Sequence, residues 1–428
     1  MPERLTKRYL LLPLFILCLV PALNAQIRIA SPYSRYGVGD ISGNNNAWNF
    51  SLGQTGIALR SSSHVNYSNP ASYAGFDSLS FVFEGGFSAE SVQLTSSLQS
   101  TSRSYASLGY LSFGFPITKW WKTALGLVPF SDVGYNVASY EKSASAGNII
   151  MLYDGSGGIN RFFWGNAFSI TKNFSVGVNI SYLFGNSTRE SVVFFPDSLH
   201  TMNYKIDNYI TVGDFYYSFG AQYKIKLKKE MSIILGAVFA PNTTIAAQAS
   251  SLASTFLIGS TGVETTKDTI AMVDAYKGSI LLPWMAGGGI TFQKSDKFLI
   301  TADYRYQNWK SYRAFGLSDS LANSYMVSLG GEIVPNADNY GSYVARIRYR
   351  LGFYYDRTYL LLRGRQLNEY GVTLGFGLPL RGMKTMMNIG GQFGSRGTTQ
   401  GDLIRETYFK FVLGFSIYER WFHKKKYF

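Results

Sequence analysis

The chain has 428 residues, a formal net charge of +14, one cysteine and three histidines. Aromatic residues make up 16% of it, with 31 Tyr, 31 Phe and 44 Gly, which is more than soluble domains usually contain. The single cysteine excludes a disulfide framework, and the histidines show no metal-ligand spacing. Lysines are scattered rather than clustered, which argues against nucleic acid as a partner and favours a negatively charged envelope surface.

The first 25 residues predict a secretory signal peptide. Three basic residues precede an apolar run over residues 10–20, and small residues follow at Ala22 and Ala25. The run is too short for a membrane-spanning helix, and we place the cleavage before Gln26. Cys18 lies inside the run, so we expect the mature chain to be exported without thiol chemistry.

Residues 26–78 form a distinct N-terminal segment. They contain six glycines and no long periodic run, so they are too rich in turn formers for a strand. Scattered aromatic residues make pure disorder a poor explanation. Within the segment, Pro70 fixes its own φ and disfavours helical geometry at Asn69, whose side chain can bond neighbouring backbone. Asn69, Pro70 and Ala71 therefore predict a structured turn, and the whole segment predicts a hatch inside the domain that follows.

Residues 79–428 alternate apolar and polar side chains with a period of two, as half-buried strands do. About 14 such segments occur, and an even number suits a closed bacterial barrel. We therefore predict an all-β transmembrane outer-membrane barrel of antiparallel strands. The predicted strands cover residues 79–89, 104–116, 121–132, 160–171, 173–186, 212–227, 230–240, 283–293, 297–309, 323–333, 344–355, 367–379, 384–395 and 405–418.

The connections between these strands alternate between tight turns and long segments. The long segments are 133–159, 187–211 and 241–282, and membrane barrels have short periplasmic turns and long outer loops. This phase predicts that both termini are periplasmic. Within the last long segment, residues 245–258 are apolar or small and predict a short helix, which could receive a hydrophobic ligand or pack on a neighbouring protein.

The third predicted strand contains Gly126 and Pro129. Proline cannot donate to the ladder, and in lipid an unmatched backbone group is costly, so a gap or bulge is one expectation. The other is that Pro129 lies just above the membrane, at the end of the strand.

Several charges are predicted to point into the barrel lumen. One reading is that spare guanidinium groups hold a ligand carboxylate; the other, which we favour because carboxylates lie on adjacent strands, is that the charges neutralise one another and anchor the hatch. The cluster comprises Asp303, Arg305, Glu332, Arg346, Arg348, Arg350 and Glu369.

Short motifs resemble the FadL family of outer-membrane long-chain fatty-acid transporters. They are the small-residue stretch 53–58, the turn Asn69, Pro70 and Ala71, and two later stretches at 282–285 and 302–310. The resemblance implies 14 strands, a hatch carrying the Asn-Pro-Ala turn, a lateral opening at the third strand, where Gly126 and Pro129 lie, and no enzymatic activity or cofactor. The implied ligand is a hydrophobic small molecule or lipid that diffuses inward.

Two functions follow as expectations. The first is an outer-membrane channel that takes up hydrophobic molecules such as long-chain fatty acids, surrounded by membrane lipids and inserted by the outer-membrane assembly machinery. The alternative is a FadL-like barrel that serves as a subunit or scaffold of a secretion or envelope-assembly complex, with protein partners. An apolar path through the lumen would favour the channel.

Overall fold

The computed structural model describes residues 29–43, 45–144, 147–197, 201–228, 230–259, 263–337, 341–381 and 384–420. The predicted signal peptide and the C-terminal residues 421–428 lie outside these ranges. Among the helices of the described chain, none is long and apolar enough to cross a membrane.

Fourteen antiparallel strands form a closed barrel, which confirms the predicted fold class and strand number. Closure is made by the last strand pairing with the first barrel strand, from Arg405 against Thr95 to Arg420 against Ser80. The barrel strands are β2 (Ser80–Thr95), β3 (Ser100–Pro116), β4 (Trp121–Ser143), β5 (Gly147–Ser169), β6 (Phe174–Phe194), β7 (Asn203–Lys226), β8 (Met231–Ala240), β11 (Met285–Lys294), β12 (Phe298–Gln307), β14 (Ser324–Ile333), β15 (Arg348–Leu362), β16 (Arg365–Arg381), β17 (Thr385–Gly397) and β18 (Arg405–Arg420). Four further strands are β1 (Asp40–Ile41), β9 (Thr243–Ile258), β10 (Glu264–Leu282) and β13 (Arg313–Ala314).

The apolar face of each barrel strand points away from the lumen. On β7, the side chains of Phe215, Tyr217 and Phe219 are 51%, 40% and 46% exposed, whereas the intervening Tyr216 is 7% exposed. Exposed aromatic residues alternating with buried residues are typical of a barrel surrounded by lipid.

The prediction that residues 133–159 and 187–211 form long outer loops is wrong. Strands β4 and β5 continue through most of residues 133–159, and β6 and β7 through most of 187–211. Both faces of these extensions carry polar residues, so the apolar and polar alternation that marks a strand inside the membrane is lost there. One side of the barrel consequently rises as a tall sheet.

Residues 243–258 and 264–282 are also strand rather than loop. The predicted short helix at 245–258 lies in β9, which pairs with β7 on one side and with β10 on the other. Strand β9 continues β8 after a break of two residues, and β11 continues β10 in the same way. The two pairs therefore form two long strands, each with one interruption. The many Ala and Ser residues of β9 gave no period from which a strand could be recognised.

The predicted strand 344–355 begins later than expected. Residues Tyr343–Arg346 form a short helix, α2, and β15 starts at Arg348. Arg346 therefore lies at the end of the barrel where β2 begins and β18 ends, which we call the short-turn end. Its guanidinium is 5.5 Å from the ring centroid of Tyr343. It does not join the predicted lumen cluster.

The N-terminal segment packs against the barrel wall from inside. Its regular elements are two 3-10 helices, Pro32–Arg35 and Pro70–Gly75, the helix α1 (Ala47–Ser51) and strand β1. Each of the fourteen strands contacts the segment through an inward-facing residue. In strand order these residues are Glu84, Gly114, Lys122, Gly165, Gly177, Gly220, Gly236, Gly289, Asp303, Gly330, Gly352, Gly375, Gly390 and Gly414.

Candidate functional site in the barrel lumen

The barrel wall is interrupted between β3 and β4. These strands pair only from Leu111 against Leu127 to Pro116 against Lys122. Beyond that point β3 stays paired with β2 and β4 with β5, so both strands continue with one edge without a barrel partner. An edge of this kind leaves backbone groups available to another element.

Pro129 lies two residues past the last β3–β4 pair. The β4–β5 ladder shifts register between Pro129 and Ser131, so a bulge lies at this level. Gly126 lies three residues before Pro129 on β4 and faces inward. A Cβ at this position would be 2.5 Å from the ring of Phe163. Strand β1 covers part of the open edge, because Asp40 and Ile41 pair with β4 at the level of the bulge.

A cavity of about 320 Å³ lies beside the interruption. From β3 it is lined by Tyr105 and Ser107, and from β4 by Pro129 and Phe130. The neighbouring strands β2 and β18 carry charged groups, among them the ion pair between Lys410 and Glu90, whose charged atoms are 3.5 Å apart. Polar and apolar residues therefore both line the cavity.

The predicted lumen charges do not form one cluster. Asp303 accepts hydrogen bonds from the backbone N–H groups of Gly56 and Ile57, at 2.6 and 2.8 Å. It is buried and lies on β12, so its carboxylate holds the N-terminal segment to the wall. Hydrogen bonds from N–H groups to a carboxylate are among the stronger ones in proteins.

A second group contains Glu332, Arg348 and Arg350. The carboxylate of Glu332 lies 2.8 Å from Nη1 of Arg348 and 2.7 Å from Nε of Arg350. It also accepts a hydrogen bond of 3.2 Å from Nε1 of Trp48 in α1. The two arginines therefore share one carboxylate from the adjacent strand, Arg348 also lies 3.8 Å from Asp296, and through Trp48 the group contacts the N-terminal segment.

Glu369 belongs to a third group centred on Arg396. Arg396 donates to Asp40, Glu406 and Ser31 at 2.7, 2.7 and 2.9 Å, and Glu369 lies 3.8 Å from its Nη1. The group joins β17 and β18 to residues on both sides of the first 3-10 helix. Nearby, burial raises the pKa of Tyr33 to about 12, so its phenol stays protonated.

Two arginines at the cavity keep nitrogen atoms without hydrogen-bond partners. Arg161, on β5, is 2% exposed, and its Nε and Nη2 have no partner in the described chain. Its guanidinium lies 5.9 Å from the ring centroids of Tyr67 and Phe163. The Nε of Arg305 is likewise without a partner. A buried charge without a counter-ion is unfavourable, so Arg161 could bind an anionic group.

The turn at Asn69, Pro70 and Ala71 is completely buried. Asn69 caps the 3-10 helix Pro70–Gly75, with its side chain accepting from the N–H of Ala71 at 3.0 Å. Its Nδ2 donates to the carbonyl of Ile57 at 2.7 Å and approaches the carbonyls of Ala221 and Ala237, both at 3.3 Å. The turn thus connects two parts of the segment and contacts β7 and β8.

The long-strand end of the lumen is closed by a hydrophobic cluster. Tyr33 and Val38 from the N-terminal segment pack there with Trp309, Leu321 and Tyr359. The ring centroids of Trp309 and Tyr359 are 4.3 Å apart. Residues of the segment and of the wall therefore pack together at that end, and Trp309 and Tyr359 also line the cavity.

Sequence reasoning missed the most connected lumen residues. Arg396 lies one residue past a predicted strand, and Asp40 lies in the turn-rich segment, so period two did not assign a face to either. Arg161 and Glu406 are inside predicted strands with an inward phase, and that phase was the signal that could have identified them. Within the described residues, no group of three or more His, Cys, Asp or Glu side chains could hold a metal ion.

A family model described as BamG matches residues 5–428, which is nearly the whole chain. The chain belongs to the BamG family. A comparison of this BamG-family chain with curated proteins finds no match.

Solved structures of FadL-type transporters share the fold of this BamG-family chain. The toluene transporter TbuX of Ralstonia pickettii has a TM-score of 0.57 at 14% identity, over 87% of this chain and 98% of TbuX. A FadL homologue of Pseudomonas aeruginosa has a TM-score of 0.56 at 12% identity, over 90% and 100%. The toluene transporter TodX of Pseudomonas putida has a TM-score of 0.57 at 15% identity, over 90% and 99%. The expected resemblance to the FadL family is confirmed, and at these identities it is a likeness of fold.

Proposed function

We propose that the protein is an outer-membrane channel for hydrophobic small molecules, long-chain fatty acids included. The N-terminal segment acts as a hatch, and the interruption between β3 and β4 acts as a lateral opening toward lipid. The observation that carries the proposal is the end of β3–β4 pairing at Leu111 and Leu127 beside a 320 Å³ cavity. Two of the similar structures are toluene transporters and a third is a FadL homologue, which supports the same class of ligand.

Gating in this proposal requires the first part of the hatch to move. Strand β1 covers the unpaired edge of β4, and Asp40 is held by Arg396. Release of these contacts would uncover the cavity at the level of Pro129. The ligand would then exchange between the cavity and lipid by diffusion, with no covalent chemistry.

The cavity favours a ligand with an acidic group over a plain hydrocarbon. Arg161 would supply its buried and unpartnered Nε and Nη2 to a carboxylate, while the apolar part of the ligand leaves through the interruption. Both termini are periplasmic in this proposal, since short turns lie at the end where β2 begins and β18 ends. Membrane lipids surround the barrel, and the outer-membrane assembly machinery inserts it.

Native mass spectrometry of the protein, extracted from its own membrane in mild detergent, tests the proposal. We expect a monomer that carries a fatty acid or another acidic lipid, and we expect Arg161→Met to lose it. Removing an unpartnered buried charge does not destabilise the fold, so this variant should remain folded. The control is Arg363→Met, which removes only an exposed ion pair with Asp402. A protein free of ligand, or equal occupancy in both variants, would contradict the channel.

A second candidate function is a subunit or scaffold of an envelope complex. It is favoured by the edge of β10, where residues 264–277 are exposed and pair only with β9. Ile270, Met272 and Val273 expose 57%, 68% and 51% of their surface there. Such an edge can accept a strand from another protein. In the same mass spectrometry experiment, a stoichiometric protein partner without ligand would support this function.

A further inference from the structure

Four cations gather at the short-turn end of the lumen. Gln222 of β7 donates from Nε2 to the carbonyls of Ile57 and Leu59, at 3.1 and 3.0 Å. Arg60 follows directly in the segment, and Lys224 and Lys226 follow Gln222 on the same face of β7. Arg60 and Lys224 are therefore neighbours across this contact.

Lys122 of β4 completes the group from the other side. Its Nζ donates to the carbonyls of Ala74 and Phe76, at 2.7 and 2.6 Å. Arg60 lies against Gly75, the residue between Ala74 and Phe76, since a Cβ on Gly75 would lie 2.8 Å from its Cγ. Arg60 thus lies between Lys122 and Lys224.

The group is poor in counter-ions. The charges that act on Lys224 are Arg60 and Lys226, both positive, and those that act on Lys122 are Arg60 and Asp77. Asp77 is already bound by Lys384 and by the hydroxyl of Tyr418. A cleft lined by one sign of charge attracts the opposite sign.

We propose that Arg60, Lys122, Lys224 and Lys226 form a docking site for an acidic peptide segment of another protein. The inference rests on the second candidate function and on a short-turn end that faces the periplasm. The side chains range from Lys122, which is buried, through half-buried Arg60 and Lys224, to exposed Lys226. A series of cations from the interior to the surface suits an extended acidic chain better than it suits a single small anion.

Fluorescence anisotropy of a labelled deca-glutamate peptide, added to the full-length protein in detergent, tests the site. We expect saturable binding that weakens as salt is raised, and no binding of deca-glutamine. The double variant Lys224→Glu with Lys226→Glu should lower the affinity at least tenfold. Heat-dependent migration in gels verifies that the double variant is folded. The single variant Lys226→Ala, at an exposed position, should still lower the affinity for deca-glutamate about threefold.

The matched control is Lys172→Glu with Lys228→Glu. Both lysines are exposed in short turns at the same end and do not belong to the proposed group, and the change in charge is identical. We expect an affinity within twofold of the natural protein. Equal losses in both double variants, binding of deca-glutamine, or no binding of deca-glutamate would overturn the site. If native mass spectrometry still shows a protein partner, the site alone is refuted; if it shows none, the second candidate function fails separately.

Discussion

Arg396 is expected to hold the first part of the N-terminal segment in place, and Arg396→Met tests this. The substitution keeps an unbranched apolar stem but removes the hydrogen bonds to Asp40, Glu406 and Ser31. Removing one partner of a buried ion pair typically costs about 3–5 kcal/mol, since the remaining charges lose their counter-ion. Each 1.4 kcal/mol is a factor of ten in an equilibrium, so local release should become at least about 100-fold more frequent.

The release can be measured as the rate at which a maleimide labels a cysteine at Val38. This side chain is 7% exposed and packs in the hydrophobic cluster, so it reacts only after the segment moves. The mature chain is expected to contain no other cysteine. Arg363→Met in the same background is the control, because its pair with Asp402 is exposed on both sides and contributes about 0–1 kcal/mol. An acceleration below about fivefold relative to that control would refute the anchoring role.

Three further substitutions test how the segment and the wall fit together. Gly352→Ala would place a Cβ 2.0 Å from the backbone nitrogen of Gly53, so we expect loss of folded, heat-modifiable protein in gels. The control Gly331→Ala should fold normally, because its Cβ would lie 3.8 Å from the nearest atom, the carbonyl oxygen of Leu299. Asp303→Ala leaves two buried N–H groups without an acceptor and should lower the free energy of unfolding in urea by about 1–3 kcal/mol for each. Glu332→Leu removes the counter-ion of the buried Arg350 and should cost about 3–5 kcal/mol in the same assay, with recovery when Arg350 is replaced as well.

The sequence was sufficient for the barrel because lipid imposes a strict alternation on its strands. Where both faces meet water, as in the upper parts of β4 to β7, the alternation disappears and strands were mistaken for loops. The lumen charges show a related limit. Period two placed Asp303 and Glu332 inward correctly, but it could not show that Asp303 binds the segment while Glu332 binds two arginines. Those pairings depend on neighbours that are distant in sequence.

Arg346 and Arg396 illustrate how a strand boundary decides a face. Arg346 was placed on a strand that starts two residues later, so its predicted inward direction had no basis. Arg396 was left out because the predicted strand stopped at residue 395, although β17 continues to Gly397. Boundaries are the least reliable part of a pattern, since the alternation weakens gradually at the edge of the membrane.

The contact of all fourteen strands with one segment has a consequence for the order of assembly. The segment leads directly into β2, and β2 is one of the two strands at the seam, where it pairs with β18 over the whole length from Ser80 to Thr95. Opening the seam of a finished ring to admit a folded piece of about 50 residues would expose every backbone group along it. We therefore expect the segment to condense with the early strands while the sheet is still open, and the seam to close last. The segment would then set the number of strands that can close around it. A chain without the segment should accumulate as a sheet that has not closed into a barrel.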